Sequence, residues 1–364
     1  MKTIPIYKPD LSGNEREYVN QCLDSTWISS KGSYIEKFEL GFADFTNIKY
    51  AVSVSNGTVA LHVALLALDI GPGDEVIVPT LTYIASVNAI TYVGATPVFV
   101  DSLEDTWQMD PNDVAKKVSD KTKAIMVVHL YGHPCDMDSI AKIAKDNGLK
   151  IVEDCAEAIG SKYKNTHVGS VGDVATFSFF GNKTITTGEG GMVLTNDKAV
   201  ADKARRLKGQ GLAEGREYWH DIIGYNYRLT NICAALGVAQ LEKIDSFLKA
   251  KLEVANSYMD LLDKTNVRFH KEADGVAHSY WMCSILVNDP IKREPLRKRL
   301  ADVGVETRPL FFPIHTMPMY LSDSAYPIAN DLSARGLNLP SWPGLEVNDI
   351  KLITSTINEF TESS

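Results

Sequence analysis

The sequence predicts an α/β protein: a large domain with a mostly parallel mixed sheet flanked by helices, then a smaller α+β domain. Three observations predict it. Short apolar runs alternate with amphipathic stretches through the first half, a pattern that calls for a parallel sheet covered by helices on both faces. Polar groups suited to chemistry stand at the ends of those runs, where such sheets present ligands. Beyond about residue 245 the alternation gives way to mixed strand and helix patterns, so the domains are read as 1–245 and 246–364, with the N-terminal segment packing near the smaller one. At 364 residues the chain is long enough to bury a large core.

The elements follow in order. Val52-Ser-Val-Ser55 reads as a strand, Asn56-Gly57-Thr58 as a turn, and the run to Leu68 as a helix. Strands are expected over 75–79, 96–100, 123–130 and 149–153, with helices over 84–93 and 137–147 between them. Residues 174–180 and 191–195 continue the sheet. A proline-free run over 231–262 reads as one long helix. A strand over 279–287 and helices over 291–303 and 348–360 complete the chain.

The densest chemical signal is Thr176-Phe-Ser-Phe-Phe-Gly-Asn-Lys183-Thr-Ile-Thr-Thr-Gly. An ammonium at the mouth of an apolar strand is costly to desolvate, so its pKa should fall and its amine become nucleophilic. Such a lysine can form a Schiff base with an aldehyde cofactor, although a lone lysine in a turn is as a rule only a surface group. Upstream, Ile151-Val-Glu-Asp154-Cys-Ala-Glu157 is a short strand ending in carboxylates. A carboxylate there can pair with a protonated pyridine nitrogen; it could equally cap the next helix. The Ser55-Asn56-Gly57-Thr58 turn offers backbone N–H groups and a hydroxyl at a helix N-terminus, which suits a phosphate. No Gly-x-Gly-x-x-Gly fingerprint follows a strand, and Gly209-Gln-Gly211-Leu-Ala-Glu-Gly215 has the wrong spacing.

Phosphate turn, carboxylate and lysine, in that order and each at a strand end, resemble the fold-type-I pyridoxal-phosphate enzymes. More narrowly, the chain resembles the DegT/StrS-type aminotransferases of nucleotide-linked keto-sugars. Further marks of that family are Gly73-Asp-Glu-Val-Ile-Val-Pro79, Gly94-Ala-Thr-Pro97, His129-Leu-Tyr-Gly132, Gly224-Tyr-Asn226-Tyr-Arg228-Leu-Thr230 and Pro313-Ile-His315. The resemblance implies pyridoxal 5'-phosphate as cofactor, with pyridoxamine 5'-phosphate formed in turnover. It makes Lys183 the Schiff-base lysine and proton carrier, and Asp154 the partner of the ring nitrogen. Glu157 falls where the family contacts the phenolic oxygen, Ser178, Gly57 and Thr58 at the phosphate, and Tyr83 over the ring. Asn226 matches a residue given to the phosphate of a neighbouring subunit, which implies a homodimer or higher homo-oligomer with shared sites. Trp27, Lys31, Arg228, Arg308 and His315 are candidates for the sugar nucleotide, since guanidinium and ammonium groups suit a diphosphate.

Ser25-Thr-Trp27-Ile-Ser-Ser-Lys31-Gly, Tyr218-Trp-His-Asp221 and Asn338-Leu-Pro-Ser-Trp342-Pro narrow the resemblance to members that use L-glutamate and a GDP-linked 4-keto-6-deoxy sugar. Another nucleotide (dTDP or UDP) stays open as an alternative. The related keto-sugar 3-dehydratases carry histidine at the lysine position, and Lys183 argues against them. A non-catalytic regulatory protein would have no need of Asp154, Lys183 and the phosphate turn together.

A formal net charge of −9 argues against a nucleic-acid surface. No apolar run approaches the roughly eighteen residues of a membrane span, and no signal-peptide pattern opens the chain, so a cytoplasmic enzyme is expected. The five cysteines show no Cys-x-x-Cys pair, the eight histidines no metal spacing, and no metal is expected.

Overall fold

The computed structural model describes residues 3–362. Helices α1 (Glu15–Asp24) and α2 (Ser33–Thr46) precede β1 (Tyr50–Val54) and α3 (Gly57–Ala67). Strand and helix then alternate: β2 (Glu75–Pro79), α4 (Ile84–Tyr92), β3 (Thr96–Val100), α5 (Pro111–Lys117), β4 (Thr122–Val128), α6 (Met137–Asn147) and β5 (Lys150–Asp154). Two short strands, β6 (Lys162–Tyr163) and β7 (Thr166–His167), lead to β8 (Val174–Ser178), β9 (Gly191–Thr195) and α7 (Lys198–Lys208).

The main sheet has the order β1-β9-β8-β5-β4-β2-β3. Strands β3, β2, β4, β5 and β8 are mutually parallel. Only β9 opposes them, and because it is antiparallel to β1 as well, β1 runs with the majority. The C-terminal ends of β1, β2, β5 and β8 therefore share one edge of the sheet. The middles of the central strands are apolar, as burial on both faces demands: Val76, Ile77, Val78, Met126, Val127 and Val152 are buried. On one face, Phe38 and Phe42 of α2 pack onto Phe177 and Phe179 with ring centroids 4.9–5.2 Å apart. Sheet and helices form the expected fold-type-I core.

The helix expected over 231–262 is two helices, α8 (Asn231–Glu242) and α9 (Ile244–Leu261). They part at Lys243, whose φ of −106° and ψ of 3° leave the helical region. No proline marks the break; the Lys243 ammonium instead reaches Asp10 and Ser12 of the N-terminal segment. A second sheet follows, built of β10 (Val267–Phe269), β12 (Cys283–Val287), β13 (Arg308–Pro309) and β14 (Gly336–Leu339) in the order β10-β12-β14-β13. Strand β11 (Val276–Ala277) leaves it to pair with β6. Helices α10 (Arg293–Asp302), α11 (Pro327–Arg335) and α12 (Val347–Glu362) cover it. Ile4 bonds Gly304 and Glu306 through its backbone, so the N-terminal segment is stitched to this second lobe.

Two strands are shorter than their apolar runs suggest. The run over 123–130 stops at Val128, because Tyr131 takes φ 56° in a tight turn over Leu130–Gly132. The run over 279–287 becomes strand only at Cys283, after Tyr280 turns the chain at φ 48°.

Candidate active site

Four strand ends and one crossover turn surround a cavity of about 590 Å³. Its walls include Gly57, Thr58, Tyr83, Asp154, Glu157, Ser178 and Lys183. Each arrives there for a local reason. After β1, Asn56 turns the chain and caps α3 by accepting the Val59 N–H at 3.0 Å. The Gly57 and Thr58 amides open the helix and have no intrahelical acceptor, so they face the cavity with the positive end of the helix dipole. Ser178 ends β8 against that turn. A Cβ on Gly57 would lie 2.8 Å from the Ser178 Cβ, so only glycine lets the two backbones approach this closely.

Asp154 ends β5 with 5 % exposure. It accepts the Ser86 hydroxyl at 2.7 Å and the Ala156 amide at 3.1 Å. Burial pushes its carboxyl upward, while Ser86, the Ala156 amide and the charge of Lys183 oppose that shift. Glu157 is equally buried and accepts the Tyr131 amide at 2.8 Å, supporting the strained turn after β4. Burial raises it too, and Lys183 pulls it back. The preceding residue, Glu153, faces the opposite way. It bonds His129 at 3.0 Å and accepts the amides of Gly169, Val171 and Gly172. His129, Glu153 and Cys155 bring donor atoms within 4.8 Å of one another, but His129 and Glu153 are already committed to each other and to amides.

The Lys183 backbone is fixed at both ends: its N–H donates to the Phe180 carbonyl at 2.9 Å, and its own carbonyl accepts the Tyr7 hydroxyl at 2.7 Å. The ammonium lies 3.8 Å from the ring centroid of Trp281. Burial lowers its pKa, with Glu157 and then Asp154 resisting. Tyr83 stands at the mouth, 56 % exposed, its ring 5.6 Å from that of Phe311.

These residues fit pyridoxal phosphate. A buried carboxylate without a cationic partner is costly, and a protonated pyridine nitrogen would supply that partner to Asp154. The phosphate would find a helix N-terminus and the Ser178 hydroxyl, and the aldehyde would find Lys183. The other candidates lie elsewhere in this chain. Trp27 lines a separate cleft with Cys22, Ser25, Gly32 and Asn231. Lys31 is exposed. Arg308 pairs with Glu306 at 2.5 Å. His315 is buried, its Nδ1 2.7 Å from the Thr80 hydroxyl, a contact that ties the end of β2 to the second lobe. Asn226 and Arg228 are exposed and bond each other rather than the cavity. Sequence reasoning missed Trp281, Ser86 and Tyr7. No local pattern marks them, because the second lobe, the first turn of α4 and the N-terminal segment each bring one from afar.

A lysine facing two buried carboxylates, beside a helix N-terminal turn on a fold-type-I sheet, is an arrangement suited to a pyridoxal-phosphate enzyme. Residues 9–358 match the DegT/DnrJ/EryC1/StrS aminotransferase family, and the chain belongs to it. It is 62 % identical over 361 residues to the GDP-perosamine synthase of Escherichia coli O157:H7, covering 99 % of each chain. To that of Vibrio cholerae it is 51 % identical, over 98 % of this chain and 99 % of the other. The crystal structure of S. venezuelae DesV in complex with a ketimine intermediate superposes with a TM-score of 0.91 at 34 % identity, over 96 % and 94 % of the two chains. The protein is thus a sugar aminotransferase with pyridoxal phosphate as its cofactor.

Proposed function

We propose that this enzyme moves the amino group of L-glutamate to C4 of GDP-4-keto-6-deoxy-D-mannose, giving GDP-perosamine and 2-oxoglutarate. Near-full-length identity to GDP-perosamine synthases carries this reading. The product suits O-antigen or another surface polysaccharide, and the enzyme works in the cytoplasm. No helix among the described residues is long and apolar enough to cross a membrane.

When bound, pyridoxal phosphate supplies an electron sink that permits exchange of amino and keto groups. The amides of Gly57 and Thr58 and the Ser178 hydroxyl hold its phosphate. Asp154, held in place by Ser86, would keep the ring nitrogen protonated, and Tyr83 would cover the ring. Glu157 would contact the phenolic oxygen. Lys183 is the amine that holds the aldehyde. Released, its Nζ takes the α-proton of glutamate in the first half-reaction and delivers a proton to C4 of the keto-sugar in the second. Asn226 completes the phosphate site of a second subunit, so the enzyme acts as a homodimer or higher homo-oligomer. Trp27, Lys31, Arg228 and Arg308, exposed in the single chain, serve the sugar nucleotide across that interface.

The test is incubation with glutamate and a panel of GDP-, dTDP- and UDP-linked keto-sugars, with product identified by mass and NMR. Amination at C4 of the GDP sugar is expected. Preference for a dTDP or UDP sugar, or loss of the C3 hydroxyl, would overturn the assignment.

A further inference from the structure

We propose that Trp281 is a positioning residue for the reaction: its indole face is the seat that the Lys183 ammonium occupies whenever that amine is not bonded to the cofactor. The inference rests on Lys183 being the cofactor lysine, as proposed above.

A lysine released from the cofactor leaves a problem in this cavity. Its ammonium is desolvated and shares the space with two buried carboxylates, Asp154 and Glu157. An ion pair with Asp154 would occupy the group required for the ring nitrogen. The face of an indole offers an alternative. It attracts a cation through its quadrupole yet forms no directional bond, and the attraction strengthens where water is excluded. The structure has that geometry, with Nζ 3.8 Å from the ring centroid.

The ring is held for this purpose from several sides. Its Nε1–H donates to the Asn182 carbonyl at 2.7 Å, so the indole is tied to the residue that precedes Lys183. Its own carbonyl accepts from the buried ammonium of Lys251 at 3.2 Å, and Lys251 also holds the Ser341 carbonyl at 2.6 Å. The Tyr131 ring lies nearly parallel to the indole, with centroids 6.1 Å and planes 12° apart. Tyr280, with φ 48°, turns the chain immediately before it. Strained backbone beside a functional group, maintained by surrounding bonds, is a recurrent feature of sites that must be aimed. A tryptophan serving only as apolar wall would have no need of such fixation relative to the lysine backbone.

The experiment uses enzyme converted by glutamate to its pyridoxamine-phosphate form, in which Lys183 is a free amine. Cyanate, a small reagent that modifies only neutral amines, is applied across pH 6 to 10. Carbamoylation of the Lys183 peptide is followed by mass spectrometry against exposed Lys249 in the same digest. Trp281→Leu should move the midpoint of the Lys183 profile down by about one pH unit, and Trp281→Phe by about half as much. Easier access alone would raise the plateau without moving the midpoint. Unchanged midpoints in both variants, with cofactor retained, would overturn the proposal. If Trp281→Leu fails to fold, the Trp281→Phe midpoint decides. Borohydride labelling of the pyridoxal form separately reports whether Lys183 holds the cofactor, so failure of that reading is seen independently.

Discussion

Adjacent carboxylates on β5 have different tasks because a strand sends alternate side chains to opposite faces. Glu153 faces away from the cavity and anchors the 169–172 loop, while Asp154 faces the cavity with the Ser86 hydroxyl beside it. Asp154→Asn should therefore fold and bind cofactor but lose on the order of a hundredfold in turnover, since a neutral amide cannot keep the ring nitrogen protonated. Steady-state rates at matched cofactor loading check this; near-normal activity would return the role to Glu157. For Lys183, borohydride treatment of the yellow holoenzyme should fix cofactor to the peptide containing that residue. Lys183→Ala should bind cofactor reversibly and turn over negligibly. Lys183 and Asp154 were legible because an apolar run lies close upstream of each: Asp154 is the last residue of β5, and Lys183 lies five residues beyond the end of β8. Trp281 and Ser86 were not, because their meaning lies in a partner far away in sequence.

At the scale of elements, the phosphate turn depends on a neighbour in the sheet. Gly191 opens β9 opposite Val54 of β1, and a Cβ there would lie 2.4 Å from the Asn56 carbonyl oxygen and 2.9 Å from the Gly57 nitrogen. Both contacts are with backbone, which cannot swing aside as a side chain could. Gly191→Ala should push the turn outward and weaken cofactor affinity about tenfold or more, while the α8 and second-lobe packing stays intact. Absorbance titration with pyridoxal phosphate reads the affinity, and far-ultraviolet circular dichroism the fold; wild-type affinity would show that the turn can yield. The alternation that forecast the main sheet was strong because both its faces are buried. The ends of elements were harder to read. Tyr131 and Tyr280 cut strands short by adopting positive φ, which nothing in a tyrosine announces, and α8 and α9 part at a lysine whose reason lies in Asp10 and Ser12.

Across the whole molecule, two junctions matter. The first is between lobes, where His133 meets His270 and His278 with ring centroids 5.0–5.4 Å apart and Trp107 stacked on His270. Burial depresses all three, His133 to about 4 and the other two further. The unfolded chain takes up protons near pH 6.5, so the stability these neutral rings contribute is complete above that pH and is lost as pH falls toward 4. Urea unfolding should show stability falling by up to about 4 kcal/mol per pH unit in that window, with a shallower slope in His133→Gln. A flat profile from pH 7 to 5 would contradict the assignment. The second is the proposed junction between subunits. Asn226 is exposed and stands outside the cavity of its own chain, its side chain engaged only with Arg228. If it serves the phosphate of a second copy, Asn226→Ala and Lys183→Ala should each be nearly inactive, for lesions in different parts of one composite site. Mixed through reversible unfolding, about half of the dimers should be hybrid, and each hybrid has one site with both native residues and one with neither. Activity should then recover to about a quarter of wild type. Were Asn226 to serve its own subunit, every site in a hybrid would carry one lesion and mixing would restore nothing. Subunit exchange verified by mass, without recovered activity, would thus reject the shared site while leaving the chemistry of Lys183 untouched.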